Sequence, residues 1–294
     1  MSLFVAAFGF GLVSAAVLAI GAVGFTMQFG ITNLINLAYG DVMITSAFVS
    51  YALNHHGVSI WIALLVGALW GALLSFLLNR FLYGPFQRKG TSHIGLVIIS
   101  LAAGIMTSNL LLAIAGSDNV SYTQSPGPTY HIVGMILTAE QLAIIAIAVV
   151  LMLTIHGLLT YTRLGKAMRA TAANPTLARN CGIPTGRVID IVWILTGLMC
   201  GLAGTIAAMN SDSFAVANGS GFLITILAAA VLGGAGQPYG AMIGAVIIGV
   251  VTEMSAAILS PEYKAVVAFV ILVTVMVLRP RGLLAKFGAA ASAG

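Results

Sequence analysis

Gly30-Ile31-Thr32-Asn33-Leu34-Ile35-Asn36-Leu37-Ala38-Tyr39-Gly40-Asp41 lies between two long apolar runs. A carboxylate and two amides at that depth in a hydrophobic sequence are costly if the segment sits in lipid. Asn33 and Asn36 are three residues apart, so on a continuous helix they share a face. Gly30 and Gly40 bracket the stretch. One reading is a broken or unwound helix lining a polar path, because irregular backbone is tolerated only where it faces protein or water. The other is polar glue between helices, with Asp41 near the membrane surface. On the first reading Asn33, Asn36, Tyr39 and Asp41 belong to a translocation path.

The composition explains why a membrane frames the question. Of 294 residues, 60% are hydrophobic and 6% charged, and mean hydropathy is +1.08. Soluble domains carry about 25% charged residues. A globule of this size cannot cover so much apolar surface, which excludes a cytosolic enzyme, a secreted disulfide scaffold and a disordered chain. The net charge of +5 is too thinly spread to mark a nucleic-acid partner. The start Met1-Ser2-Leu3-Phe4 contains no basic n-region, so a cleavable signal peptide is not expected and the first apolar segment is expected to remain as a span.

Runs long enough to cross a bilayer fall at about 3–28, 31–53, 59–80, 93–115, 140–161, 188–209 and 221–258, with a shorter one at 265–278. The run 221–258 is too long for one crossing. Gly233-Gly234-Ala235-Gly236-Gln237-Pro238-Tyr239-Gly240 divides it by a tight reversal. The expected fold is an all-α polytopic membrane protein with about eight or nine transmembrane segments, some discontinuous, forming one Gly-rich domain over 1–294. Gly67 and Gly71, Gly197 and Gly201, and Gly236, Gly240 and Gly244 recur every four residues, a spacing that lets helix backbones approach closely in lipid.

Charge sets the orientation. Arg80, Arg88 and Lys89 share one loop, Arg163, Lys166, Arg169, Arg179 and Arg187 another, and Arg279, Arg281 and Lys286 the tail. If those regions are cytoplasmic, 11 of the 12 basic residues lie inside and Lys264 outside. Asp118, Glu140, Asp212 and Glu262 then fall at the outer side. The loop 116–139 is external, serving either as a connector or as a docking surface. Glu253 falls toward the outer end of its span, where it lines a vestibule or reaches headgroup water.

The loop 161–187 is built rather than slack. Arg163, Lys166 and Arg169 recur every three residues on an expected continuation of the preceding helix. Asn174 and Pro175 suit a helix start, and Gly182 with Pro184 a stop. A helix of about two turns is therefore expected between 175 and 181, bearing the apolar knob Leu177 and the basic Arg179. Such a helix fits a groove on a soluble partner.

Chemistry is sparse. There is no Walker A loop, HExxH, CxxC or GxSxG. Cys181 and Cys200 lack metal-ligand spacing, and His55, His56, His93, His131 and His156 sit near span ends. No catalytic or metal residues are expected.

Taken in order, four motifs resemble the LivH-type permease of branched-chain amino acid ABC importers. They are Thr32–Asp41, Leu164-Gly165-Lys166-Ala167-Met168-Arg169-Ala170 with Gly182-Ile183, Ala229–Gly234 through Gly240-Ala241, and Leu278-Arg279-Pro280-Arg281-Gly282-Leu283-Leu284. The resemblance covers nearly the whole chain. It implies a multi-pass permease of the bacterial cytoplasmic (inner) membrane that pairs with a second, similar permease as a heterodimer. It also implies two cytosolic ABC ATPases that bind ATP and Mg, an external substrate-binding protein, and no cofactor or nucleic acid on this chain. On that pattern the loop 161–187 couples to the ATPases through Arg163, Lys166, Arg169, Asn174, Pro175, Leu177, Arg179 and Gly182. Tyr39 stands where the family has His, and Asp41 where it has Glu, which leaves urea, amides or other small solutes beside leucine, isoleucine and valine. The rival class is an ion-coupled secondary transporter using Asp41 and Glu253. A purely structural membrane subunit is a further one.

Overall fold

The polar stretch is a break between two helices. In the computed structural model, which describes residues 2–123, 128–132, 135–211, 213–260, 263–278 and 282, α1 runs Ser2–Thr32 and α2 runs Tyr39–His55. Gly30 continues α1, so the interruption lies at 33–38, later than the glycine suggests. α3 (Ile60–Leu77) passes through a π-helical turn (Leu78–Tyr83) into α4 (Gly84–Arg88). Pro85 accounts for the widened turn: it has no N–H to give to the carbonyl four residues back, and its ring needs the room.

α5 (His93–Ala115) follows, then a two-stranded antiparallel hairpin, β1 (Thr129–Ile132) and β2 (Met135–Thr138), with Thr129 opposite Thr138. The remainder is helical: α6 (Ala139–Tyr161), α7 (Arg163–Ala173), α8 (Pro175–Asn180), α9 (Thr185–Met209), α10 (Asn218–Gly233), α11 (Pro238–Ile258) and α12 (Lys264–Leu278). Among the described residues six stretches are long and apolar enough to cross a membrane, and α10 and α12 are shorter apolar helices. The chain is a polytopic helical membrane protein with one small hairpin. Arg279-Pro280-Arg281, Leu283-Leu284, Lys286, Asp212, Glu262 and Ser125-Pro126-Gly127 lie outside the described residues.

The chain divides into two compact units, 1–26 with 124–149 and 221–294, and 27–123 with 150–220. In the second unit α2, α3 and α9 form the core. A Cβ on Gly71 would lie 2.5 Å from the Gly197 carbonyl oxygen, and one on Gly201 equally close to that of Gly67. The two four-residue glycine ladders are therefore each other's partners. Ser50 Oγ donates to the Ala63 carbonyl at 2.9 Å and lies 3.0 Å from Thr205 Oγ1, linking all three helices. Without a hydrophobic drive between helices in lipid, such close packing and hydrogen bonding hold the bundle. α5 turns Ile94, Ile98, Ile105 and Met106 outward, as a helix facing hydrocarbon does.

In the first unit the same device recurs between α1 and α11. A Cβ on Gly249 would lie 2.5 Å from Ala15 Cα, and one on Gly11 3.0 Å from Val250 Cα. The reversal between α10 and α11 turns on Gly234 (φ 110°) and Gly236 (φ 89°), which other residues adopt only with strain, and Pro238 opens α11.

Candidate functional site

The first break is held by side chains from elsewhere in its unit. Asn33 is left-handed (φ 50°), which asparagine tolerates better than other side-chain-bearing residues. The Asn36 Oδ1 accepts from the Ala38 N–H at 3.2 Å and from the Tyr83 hydroxyl at 3.0 Å. Ser100 Oγ on α5 accepts from the Leu37 N–H and lies 3.2 Å from the Ile35 carbonyl. The Ile35 carbonyl and the N–H groups of Leu37 and Ala38, orphaned by the break, are thus satisfied inside the bundle. Tyr83 in turn stacks on Trp193, centroids 5.0 Å apart.

The expected shared face of Asn33 and Asn36 is not formed. The stretch is not helical: Asn33 is exposed, whereas Asn36 is 2% exposed and its Oδ1 accepts two hydrogen bonds. Tyr39 is buried, and its carbonyl accepts from Cys200 Sγ at 3.3 Å. Asp41 is half-buried in the first turn of α2, where a helix's partial positive charge favours a carboxylate. Its Oδ2 abuts α5, since a Cβ on Gly104 would lie 2.5 Å away. A cavity of about 390 Å³ opens beside the break, lined by Phe29, Asn33, Ile35, His93, Ile94 and Val97.

A second break, 210–217, precedes α10. Its end meets the first: a Cβ on Gly219 would lie 3.0 Å from the Gly40 carbonyl oxygen. Two helix starts therefore face each other within this unit.

Glu253 lies in the other unit, on α11. Its carboxylate accepts from Ser14 Oγ at 2.7 Å and pairs with Lys264 Nζ at 2.7 Å. The sequence reading had no local signal for this clip, because Ser14 is 239 residues distant. Ser100, Tyr83 and Cys200 were missed for the same reason.

At the basic loop, α7 is a separate helix and not a continuation of α6. Thr162 breaks the run and caps α7, its Oγ1 accepting from the Gly165 N–H at 3.0 Å. Arg169 donates to the Leu159 carbonyl, bracing this corner. Arg163 and Lys166 are exposed. Asn174 ends α7 and caps α8, its Oδ1 accepting from the Leu177 N–H at 2.9 Å, with Pro175 first in the helix. Gly182 (φ 84°) closes it. Arg179 Nε reaches Thr185 Oγ1 at 3.4 Å. Leu177 is 59% exposed, while Ala178 faces inward. Among the described residues no three His, Cys, Asp or Glu side chains gather as a metal site.

Discontinuous helices meeting inside a glycine-packed bundle, with a capped helical segment at its basic end, describe a transport-type membrane subunit. The chain belongs to the family described as branched-chain amino acid transport system / permease component, whose match spans residues 7–276. It is 31% identical over 286 residues to the high-affinity branched-chain amino acid transport system permease protein LivH of Salmonella typhimurium, covering 91% of each chain. It is 26% identical over 293 residues to the corresponding BraD of Pseudomonas aeruginosa, covering 94% of each. Among solved structures, PsaBC from Streptococcus pneumoniae in complex with Fab shares the fold at a TM-score of 0.51 and 16% identity, covering 92% of this chain and 91% of that one.

Proposed function

We propose that this chain is a permease subunit of an ATP-driven importer of branched-chain or related small amino acids in the bacterial cytoplasmic membrane. The observation that carries the proposal is the family match along residues 7–276. Its ATPase coupling is placed on α8, whose capped frame offers Leu177 to a partner. Arg163, Lys166 and Arg179 flank that contact, and Arg169 holds the α6–α7 corner. Two cytosolic ABC ATPases bind ATP and Mg, a second similar permease completes a heterodimer, and an external receptor delivers solute. ATP-driven closure of the ATPases moves α8, and the bundle alternates between outward and inward openings.

In this reading Asn33 and Asp41 face the path, and Asn36 and Tyr39 keep the break in shape. Glu253 acts through its clip with Ser14 and Lys264. The facing starts of α2 and α10 suit the carboxylate of a zwitterionic solute.

The test is uptake of labelled leucine by vesicles holding the whole complex. Leu177→Ala is expected to lower uptake and substrate-stimulated ATP hydrolysis together, by about tenfold, while the complex stays folded. Unchanged uptake and hydrolysis would remove α8 from the coupling role. An ion-coupled carrier is the second reading. It draws on Asp41, which no basic side chain pairs among the described residues, whereas Glu253 is already paired with Lys264. Uptake that survives vanadate and collapses with an uncoupler would favour it.

A further inference from the structure

Gln28 lies one turn before the end of α1, where the Thr32 hydroxyl donates to its backbone carbonyl at 2.7 Å. The residue is 1% exposed, yet neither Oε1 nor Nε2 has a hydrogen-bond partner among the described residues. On α1 itself Thr26 Oγ1, two residues earlier, also lacks a partner among the described residues, though it is one hydroxyl and not a whole amide. Several other buried groups are bonded. In the same unit the side chains of Asn36, Ser50, Asn79 and Thr107 are all bonded. Trp193 Nε1 is also unpartnered, but that indole has a single N–H, and its ring stacks on Tyr83.

A primary amide brings two donors and an acceptor into a buried place where no described protein group compensates them. Methionine, of similar length and volume, would fill the site without that desolvation cost. The amide is therefore a liability to the resting fold, and its use lies in a state where it finds a partner.

We propose that Gln28 is a solute-contacting residue of the permease, its amide engaging the polar head of a small zwitterionic or amide-bearing solute when the bundle opens beside the break at 33–38. This rests on the permease reading above. The chemistry fits such a solute: the amide N–H groups meet a carboxylate and the amide oxygen meets an ammonium, with no fixed charge to hold the solute back. Gln28 sits one residue before the cavity-lining Phe29 on α1 and one turn before the break; its amide is on the neighbouring face of that helix and reaches the cavity only when the bundle opens.

The test uses the complete complex in proteoliposomes with labelled leucine as probe. Gln28→Met is expected to melt no lower than wild type and to lose about tenfold or more of the uptake rate, as sites built for hydrogen bonding do when a partner is removed. Gln28→Asn should restore part of that rate. If Gln28→Met melts higher and transports like wild type, the amide is a mere packing defect and the inference is overturned. Should the methionine variant fail to assemble, Gln28→Cys in a Cys181→Ser background decides, since Cys200 is buried. Its labelling by a charged thiosulfonate is expected to quicken during ATP turnover and to slow with excess leucine. A residue 28 thiol that stays unlabelled in every state overturns the inference. Wild-type vesicles that take up no leucine overturn the permease reading and this inference with it.

Discussion

The two helix breaks of the second unit solve one problem in opposite ways. At 33–38 Ser100 on α5 bonds the Leu37 N–H and the Ile35 carbonyl across the bundle, while Asn36 bonds the nearby Ala38 N–H and is itself held by the distant Tyr83 hydroxyl. At 210–217 the chain is largely self-sufficient. Asn218 Oδ1 accepts from the Ala215 N–H at 2.9 Å, and Ser211 Oγ donates to the Ala207 carbonyl at 3.0 Å. Among the described residues its long-range backbone tie is the bridge between Phe214 and Val120. An aromatic group of Phe48, Tyr51, Tyr122 and Phe214 covers it, and burial holds the Tyr122 phenol above its ordinary pKa. The first break thus senses its neighbours, whereas the second is closed locally.

The largest effect should come from Asn36→Leu. It strands a buried phenol and a buried amide N–H together, at a cost of about 3 kcal/mol. The melting temperature of the purified permease should fall clearly, and a small change would mean that the first break does not depend on borrowed bonds. Ser100→Ala removes the α5 contribution alone and should cost about 1–2 kcal/mol by the same measure. Asn218→Ala should be mildest, about 1 kcal/mol, because it removes one local bond near a wetter loop. It should also leave hydrogen exchange at 33–38 unchanged. Equal losses for Ser100→Ala and Asn218→Ala would erase the contrast between the two breaks.

Much of this architecture was legible beforehand. The apolar runs located the long helices, and Gly233–Gly240 correctly divided 221–258 between α10 and α11. Asn174, Pro175 and Gly182 framed α8 because caps are local chemistry. The first break was displaced because Gly30 was read as punctuation. Membrane helices carry glycine freely, whereas Asn33 and Asn36 offer the backbone competing bonds. The hairpin at 129–138 went unread, its strands being only four residues each. Least legible were the long-range partners. The spacing of Gly67 and Gly71 announced a close contact but could not name Gly197 and Gly201, and Glu253 gave no hint of Ser14.

The seam between α3 and α9 has a mechanical consequence. Where two helices meet through bare main chain, no interlocking teeth allow a stepwise slide. Advancing α9 by one residue would thrust Leu198 or Leu202 into space that cannot admit even a methyl group. A slide of α9 along α3 is therefore sterically opposed at this seam, which favours the two helices moving as a single spar.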